Sequence, residues 1–219
     1  MRTQVVLIIA LLSCQLNAQT FGVKAGFNFS SILQKDDDGK QSKEYSSKLG
    51  FHVGGTVEYP INDMFTAEGE LLIETKGFKF KEKDSNYKLV TTLNTVYIDI
   101  PLRIKYTREI NENIIAFGAI GPYFGFAISG KIKFVEEYMG SKDTEKQDVE
   151  WGNDMDDDDL KRFDAGISFA AGVEVSVVII SISYDLGLAN ISAYTANGST
   201  VKNRVFRLSV AYRLEGLGG

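Results

Sequence analysis

Ionisable residues recur at every second position through much of this sequence. In "KLGFHVGGTVEY" His52 and Glu58 fall in phase, in "MFTAEGELLIETKG" Glu68, Glu70, Glu74 and Lys76 do, and in "TVYIDIPLRIKY" Asp99, Arg103 and Lys105 do. Lys24, Asp164, Glu174, Asp185, Arg207 and Arg213 hold the equivalent phase in four further stretches. Successive side chains of a β-strand alternate faces, so groups two apart share one face. If those faces converge, Glu58, Glu68, Glu70, Glu74, Asp99, Asp164, Glu174 and Asp185 meet Lys24, Lys76, Arg103, Lys105, Arg207 and Arg213, with His52 among them. Such a set can pair its charges, relay protons or ions, or ligate a metal. Charges leaving water need partners, so a mutually paired network is the expected outcome and a proton or ion route the sharper alternative.

His52 is the only histidine. With a serine and an acid it could form a nucleophilic site. The segment at residues 135–162 carries 11 Asp or Glu against 4 Lys or Arg, a net charge of −7, and its "EWGNDMDDDDLKRF" offers carboxylates to a divalent cation. An EF-hand loop needs Gly at its sixth position; Asp159 stands there if Asp154 is the first ligand. In "QKDDDGK" Gly39 fits, but Gln34 would be the first ligand and Tyr45 the last. Solvated loops are the plainer reading of both. No Walker loop, dinucleotide fingerprint, HExxH or G-x-S-x-G occurs, so no cofactor is expected and a non-enzymatic protein is.

The elements that position these groups are strands. "FDAGISFAAGVEV" puts Phe163, Ile167, Phe169, Val173 and Val175 on one face, with Asp164, Gly166, Ser168, Gly172 and Glu174 on the other. Eight such stretches can be marked, at residues 20–30, 48–59, 64–77, 95–106, 114–129, 163–175, 179–189 and 204–214. The fifth is apolar on both faces, and its "GPYFGF" implies a bend or irregularity. Short connections ("PIND", "TREINEN" and a turn at residues 176–178) alternate with long polar ones: "SILQKDDDGKQSKEYSS", the segment around "KFKEKDSNYKL", the acidic segment, and "NISAYTANGSTVKN". In a meander, alternate connections lie at one end. The fold class is therefore all-β: an eight-stranded antiparallel up-and-down transmembrane β-barrel with long loops at one rim and short turns at the other. Apolar faces would meet lipid, and faces rich in Gly, Ser and charge would point inward; Tyr59, Phe65, Tyr106 and Tyr212 would ring the short-turn rim. A catalytic site acting on membrane lipid would lie on the outer wall, whereas His52 would point inside. The reversed arrangement, a soluble lipocalin-like barrel with an apolar lumen, is the structural alternative.

The chain has 219 residues and a formal net charge of −5. "MRTQVVLIIALLSCQLNAQT" reads as a secretory signal peptide over residues 1–18, cleaved near Ala18, with lipid attachment at Cys14 as the rival. The barrel would then occupy residues 19–214 and a tail residues 215–219. Cys14 is the only cysteine, so no disulfide can form within the chain. No basic stripe with interleaved aromatics appears, which argues against a nucleic acid partner.

Five segments, "GVKAGFNFS", "AEGELLIETKGF", "YIDIPLRIKY", "DAGISFAAGVEV" and "YDLGLANI", occur in the order found in PorT-like small outer-membrane β-barrel proteins, which the chain resembles along its whole mature length. One departure is the ending "RLEGLGG" after Tyr212, where barrels of this type close on an aromatic residue. The resemblance implies an outer-membrane location, with outer-membrane lipid and lipopolysaccharide as surroundings. It also implies a non-enzymatic structural or interaction role through the surface loops, toward an extracellular or secretion-machinery protein. A narrow passive channel is the alternative role.

Overall fold

The computed structural model describes residues 19–37, 39–40, 45–84, 87–138 and 141–214. Ten strands follow in order: β1 (Thr20–Asp36), β2 (Gly39–Lys40), β3 (Tyr45–Pro60), β4 (Phe65–Asp84), β5 (Tyr87–Asn111), β6 (Ile114–Tyr138), β7 (Ser141–Asp148), β8 (Phe163–Val175), β9 (Val178–Gly187) and β10 (Thr200–Leu214). All but β2 and β7 form the barrel. Each barrel strand pairs antiparallel with its neighbours, and β1 closes the ring on β10 from Phe21↔Leu214 to Lys35↔Thr200. Closure leaves no open edge, the only arrangement of sheet that hydrocarbon tolerates.

Local chemistry sets the short-turn end. The Asn62 side chain accepts hydrogen bonds from the N–H groups of Met64 and Phe65, both at 2.9 Å, and turns the chain between β3 and β4. Asn111 Oδ1 takes the N–H of Asn113 at 3.0 Å between β5 and β6. At the β8–β9 turn Ser176 adopts φ 54°, the left-handed conformation a two-residue hairpin requires. Phe65 lies against Tyr106 with ring centroids 5.5 Å apart, inside the rim where amphipathic rings favour the membrane interface.

The alternation decides the two faces. Phe27, Phe51 and Val210 remain 59%, 58% and 54% exposed on the outer wall, while Lys24, Glu74, Asp99 and Arg207 are buried within. Apolar residues surround the barrel from Phe21 to Tyr212, far more than a soluble surface exposes. This is the reverse of the lipocalin-like arrangement, in which the apolar face would line the lumen and the charges would face water. Irregularity in "GPYFGF" is present. The β5–β6 ladder lapses where Leu102 and Arg103 face Pro122 and Gly121, then resumes in the same register; proline has no N–H to donate.

The long-loop end differs from expectation. Strands were expected to end near residues 77, 95 and 129, with polar loops beyond. Instead β4, β5 and β6 run on to Asp84, from Tyr87 and to Tyr138, paired throughout, and β7 adds a further strand on β6. The segment around "KFKEKDSNYKL" is thus a hairpin. Its charged residues read as loop because lysine holds the outward phase at Lys79, Lys81 and Lys83, and only Phe78 and Phe80 mark the other; neighbouring backbones supply the ladder. The expected signal segment and C-terminal tail lie outside the described residues.

Candidate functional site: a charge-packed lumen

Inward-facing residues of eight strands meet in three tiers. Nearest the short turns, Lys105 of β5 pairs with Glu174 of β8 at 2.7 Å and with Glu58 of β3. Arg213 of β10 closes the ring with both carboxylates at 2.8 Å. Two cations balance two anions. Above them, Lys24 of β1 holds Glu70 of β4 at 2.6 Å. Arg103 of β5 reaches Glu68 at 2.7 Å, Glu70, and the hydroxyl of Ser168 at 2.9 Å. This tier also balances.

The third tier is fully buried. Arg207 of β10 binds Glu74 at 2.6 Å, Asp185 at 2.6 Å and Asp99 at 3.3 Å. Lys76 of β4 lies 2.6 Å from Asp99, 3.3 Å from Glu74 and 3.4 Å from Asp164. Its ammonium also sits over the ring of Tyr97, 4.5 Å from the centroid. Asp164 takes hydrogen bonds from Tyr123 Oη at 3.1 Å and Asn203 Nδ2 at 2.9 Å. Glu74, Asp99 and Asp185 bring oxygens within 4.8 Å of one another, a spacing that could hold a metal ion. Cations already hold that position, because Arg207 lies on all three carboxylates and Lys76 on Glu74 and Asp99.

Every interior residue singled out in the sequence therefore lies in the lumen. His52 does too, between the second and third tiers and 1% exposed. Its Nε2 lies 2.9 Å from Ser209 Oγ, a partner the sequence reading did not assign, because 157 residues separate the two. A serine and a histidine in hydrogen-bond contact, with Glu74 opposite His52 in the β3–β4 register, have the makings of a nucleophilic set. His52 and Ser209 are both 1% exposed. The cavity lined by Lys24, Glu70, Arg103 and Phe117 holds about 10 Å³, roughly the space of one water.

At the opposite end the mouth is covered. Val149, Ile191 and Ala193 are buried there, and Lys161 N donates to Ile191 O at 2.8 Å and Ala193 N to Asp159 O at 3.3 Å. The acidic segment uses its carboxylates on its own backbone: Asp158 Oδ2 accepts from Asp154 N at 2.8 Å, and Asp159 Oδ2 from Glu150 N at 3.0 Å. Those aspartates shape a turn under the rim.

Residues 17–193 match the family model described as the outer membrane protein beta-barrel domain. The chain belongs to this family. It is an outer-membrane protein, surrounded by outer-membrane lipid and lipopolysaccharide. Among solved structures, Ail, the attachment invasion locus protein of Yersinia pestis, crystallised with the heparin analogue sucrose octasulfate, is 18% identical. The match covers 90% of this chain and 99% of that one, with a TM-score of 0.38. OprG from Pseudomonas aeruginosa is 14% identical over 90% of this chain and 97% of its own, TM-score 0.42. Neisserial surface protein A is 14% identical over 89% and 96%, TM-score 0.37. A comparison with curated proteins finds no match.

Proposed function

We propose that this outer-membrane barrel is a non-enzymatic interaction protein, in which a closed, charge-packed lumen acts as a rigid pillar for an extracellular sheet. The observation that carries this reading is the continuation of β4, β5 and β6 beyond the lipid-facing band, joined by β7. Long extensions at one rim and short turns at the other are the outward and periplasmic ends of such barrels. A role as a secretion accessory, in keeping with the PorT-like resemblance, is the more specific form of this proposal. The three ion-paired tiers weigh against a passive channel, because each would have to part for a solute to pass.

The test joins two measurements, one on the reconstituted protein and one in cells. Single-channel recording is expected to show no conductance steps. A photo-crosslinker placed at Tyr138 in cells is expected to capture a discrete protein from outside the membrane. Reproducible unitary steps that disappear on unfolding the barrel would replace this reading with a channel.

A further inference from the structure

Pairing register assigns the faces of the protruding sheet. Lys76 and Thr95 are buried inside the barrel and opposite each other. Counting outward by twos, Phe78, Leu93, Ile132 and Phe134 continue that inner face. The alternate residues face outward. β4 supplies Lys79, Lys81 and Lys83 to that outward face, and β5 supplies Lys88. β6 adds Lys131 and Lys133, and β7 adds Lys142 and Lys146. All eight are exposed. Only Glu137 and Asp148 answer them on the same face, 3.5 Å from Lys88 and 2.6 Å from Lys131. The inner face of the same strands has the opposite sign, with Glu82, Asp84, Glu136, Asp143 and Glu145.

Two features show that this basic face is built for a partner. Lys83 stands directly opposite Lys88, and Lys133 directly opposite Lys146. Like charges in opposed cross-strand positions destabilise a sheet, so the face gains from a polyanion that lies across it. The face is also continuous with the lipid-facing wall. On β4 the outward series runs from Leu71 and Ile73, 56% and 49% exposed, to Lys79 six residues later, roughly 20 Å along a strand at ~3.3 Å per residue. The lysines thus begin where the hydrocarbon ends.

We infer that the outward face of β4–β7 binds the phosphorylated headgroups of the glycolipid surrounding the barrel. The lysines meet phosphates on adjacent lipids, and attraction to an anionic surface accumulates charge by charge. The inference does not depend on a protein partner at the sheet's tip.

The test is native mass spectrometry of the full-length barrel released from membranes in mild detergent, then loaded with lipopolysaccharide or with the same lipid stripped of phosphate. Wild type is expected to retain the phosphorylated form. A K79Q/K81Q/K133Q/K146Q variant is expected to retain at least about tenfold less, while an E82Q/E136Q control on the inner face retains as much as wild type. Heat-dependent gel mobility confirms closure of each barrel; if the fourfold variant does not close, K83Q and K146Q are read singly in the same spectra. Equal retention by the lysine variants, or equal binding of the dephosphorylated lipid, overturns the inference. Lysine-dependent retention of heparin by a wild-type barrel that does not retain lipopolysaccharide also overturns it and assigns the face to a soluble polyanion.

Discussion

Arg207 of β10 grips Glu74 of β4 across the lumen with both ends of its fork, Nε to Oε2 at 2.6 Å and Nη2 to Oε1 at 2.9 Å. The two residues are 133 apart in sequence, and neither retains more than 1% of its side-chain surface. A bidentate pair of this kind adds direction to charge attraction and joins strands that share no ladder. The barrel is therefore cross-braced through its interior as well as hydrogen-bonded around its wall.

Breaking that brace from one side leaves a buried charge without its main partner. Arg207→Met is expected to lower unfolding stability by about 3–5 kcal/mol, as for other buried pairs that lose one member. The double variant Arg207→Met with Glu74→Met is expected to recover part of the loss. Urea unfolding in lipid vesicles, followed by tryptophan fluorescence of Trp151 and by heat-dependent gel mobility, measures both. A double-variant loss equal to the sum of the losses in Arg207→Met and in Glu74→Met alone would mean the pair contributes no coupling.

The outer wall should respond to charge according to depth. Leu208→Arg, in the middle of the lipid-facing stretch of β10, is expected to cost about 2–4 kcal/mol. Val90→Arg, on the outward face of the protruding sheet, is expected to cost less than about 1 kcal/mol. The same unfolding assay compares them, and a reversed order would mean the lipid boundary has been placed wrongly.

Gly26 lies where two backbones and a ring converge. A methyl group there would fall 2.9 Å from His52 Cε1 and from Ser209 Cα, and against the Leu208 carbonyl oxygen. Gly26→Ala is expected to destabilise the barrel by about 1–3 kcal/mol through overpacking. The Gly118 position has open space around it, and Gly118→Ala is expected to leave the unfolding midpoint within experimental scatter.

His52 and Ser209 give a test of chemistry against architecture. Ser209→Ala removes a buried hydrogen-bond partner and is expected to cost about 1–3 kcal/mol, with no change in membrane lipid composition by mass spectrometry. Loss of a specific lipid modification in Ser209→Ala, with the barrel still folded, would reinstate a catalytic role.

Much of this arrangement was legible from alternation alone. The period of two in "FDAGISFAAGVEV" and "YIDIPLRIKY" places Phe169 and Ile100 outward and Asp164 and Asp99 inward, because the β backbone admits no other disposition. Short turns at "PIND" and after Val175 were also readable, from residues that accept turn geometry. The extension of β4 through "KFKEKD" was not, because its outward face is lysine and a charged stretch between apolar runs has the composition of a loop.

What the sequence by itself determined is which residues turn toward lipid and which toward the lumen, since that follows from neighbours two positions apart along one strand. What only the tertiary structure decided is who meets whom. Arg207 finds Glu74, His52 finds Ser209, and eight lysines from four strands come to share one face only once strand register and ring closure are set. Those contacts join residues far apart along the chain. Their energies depend on distance and burial, quantities that a strand pattern does not contain.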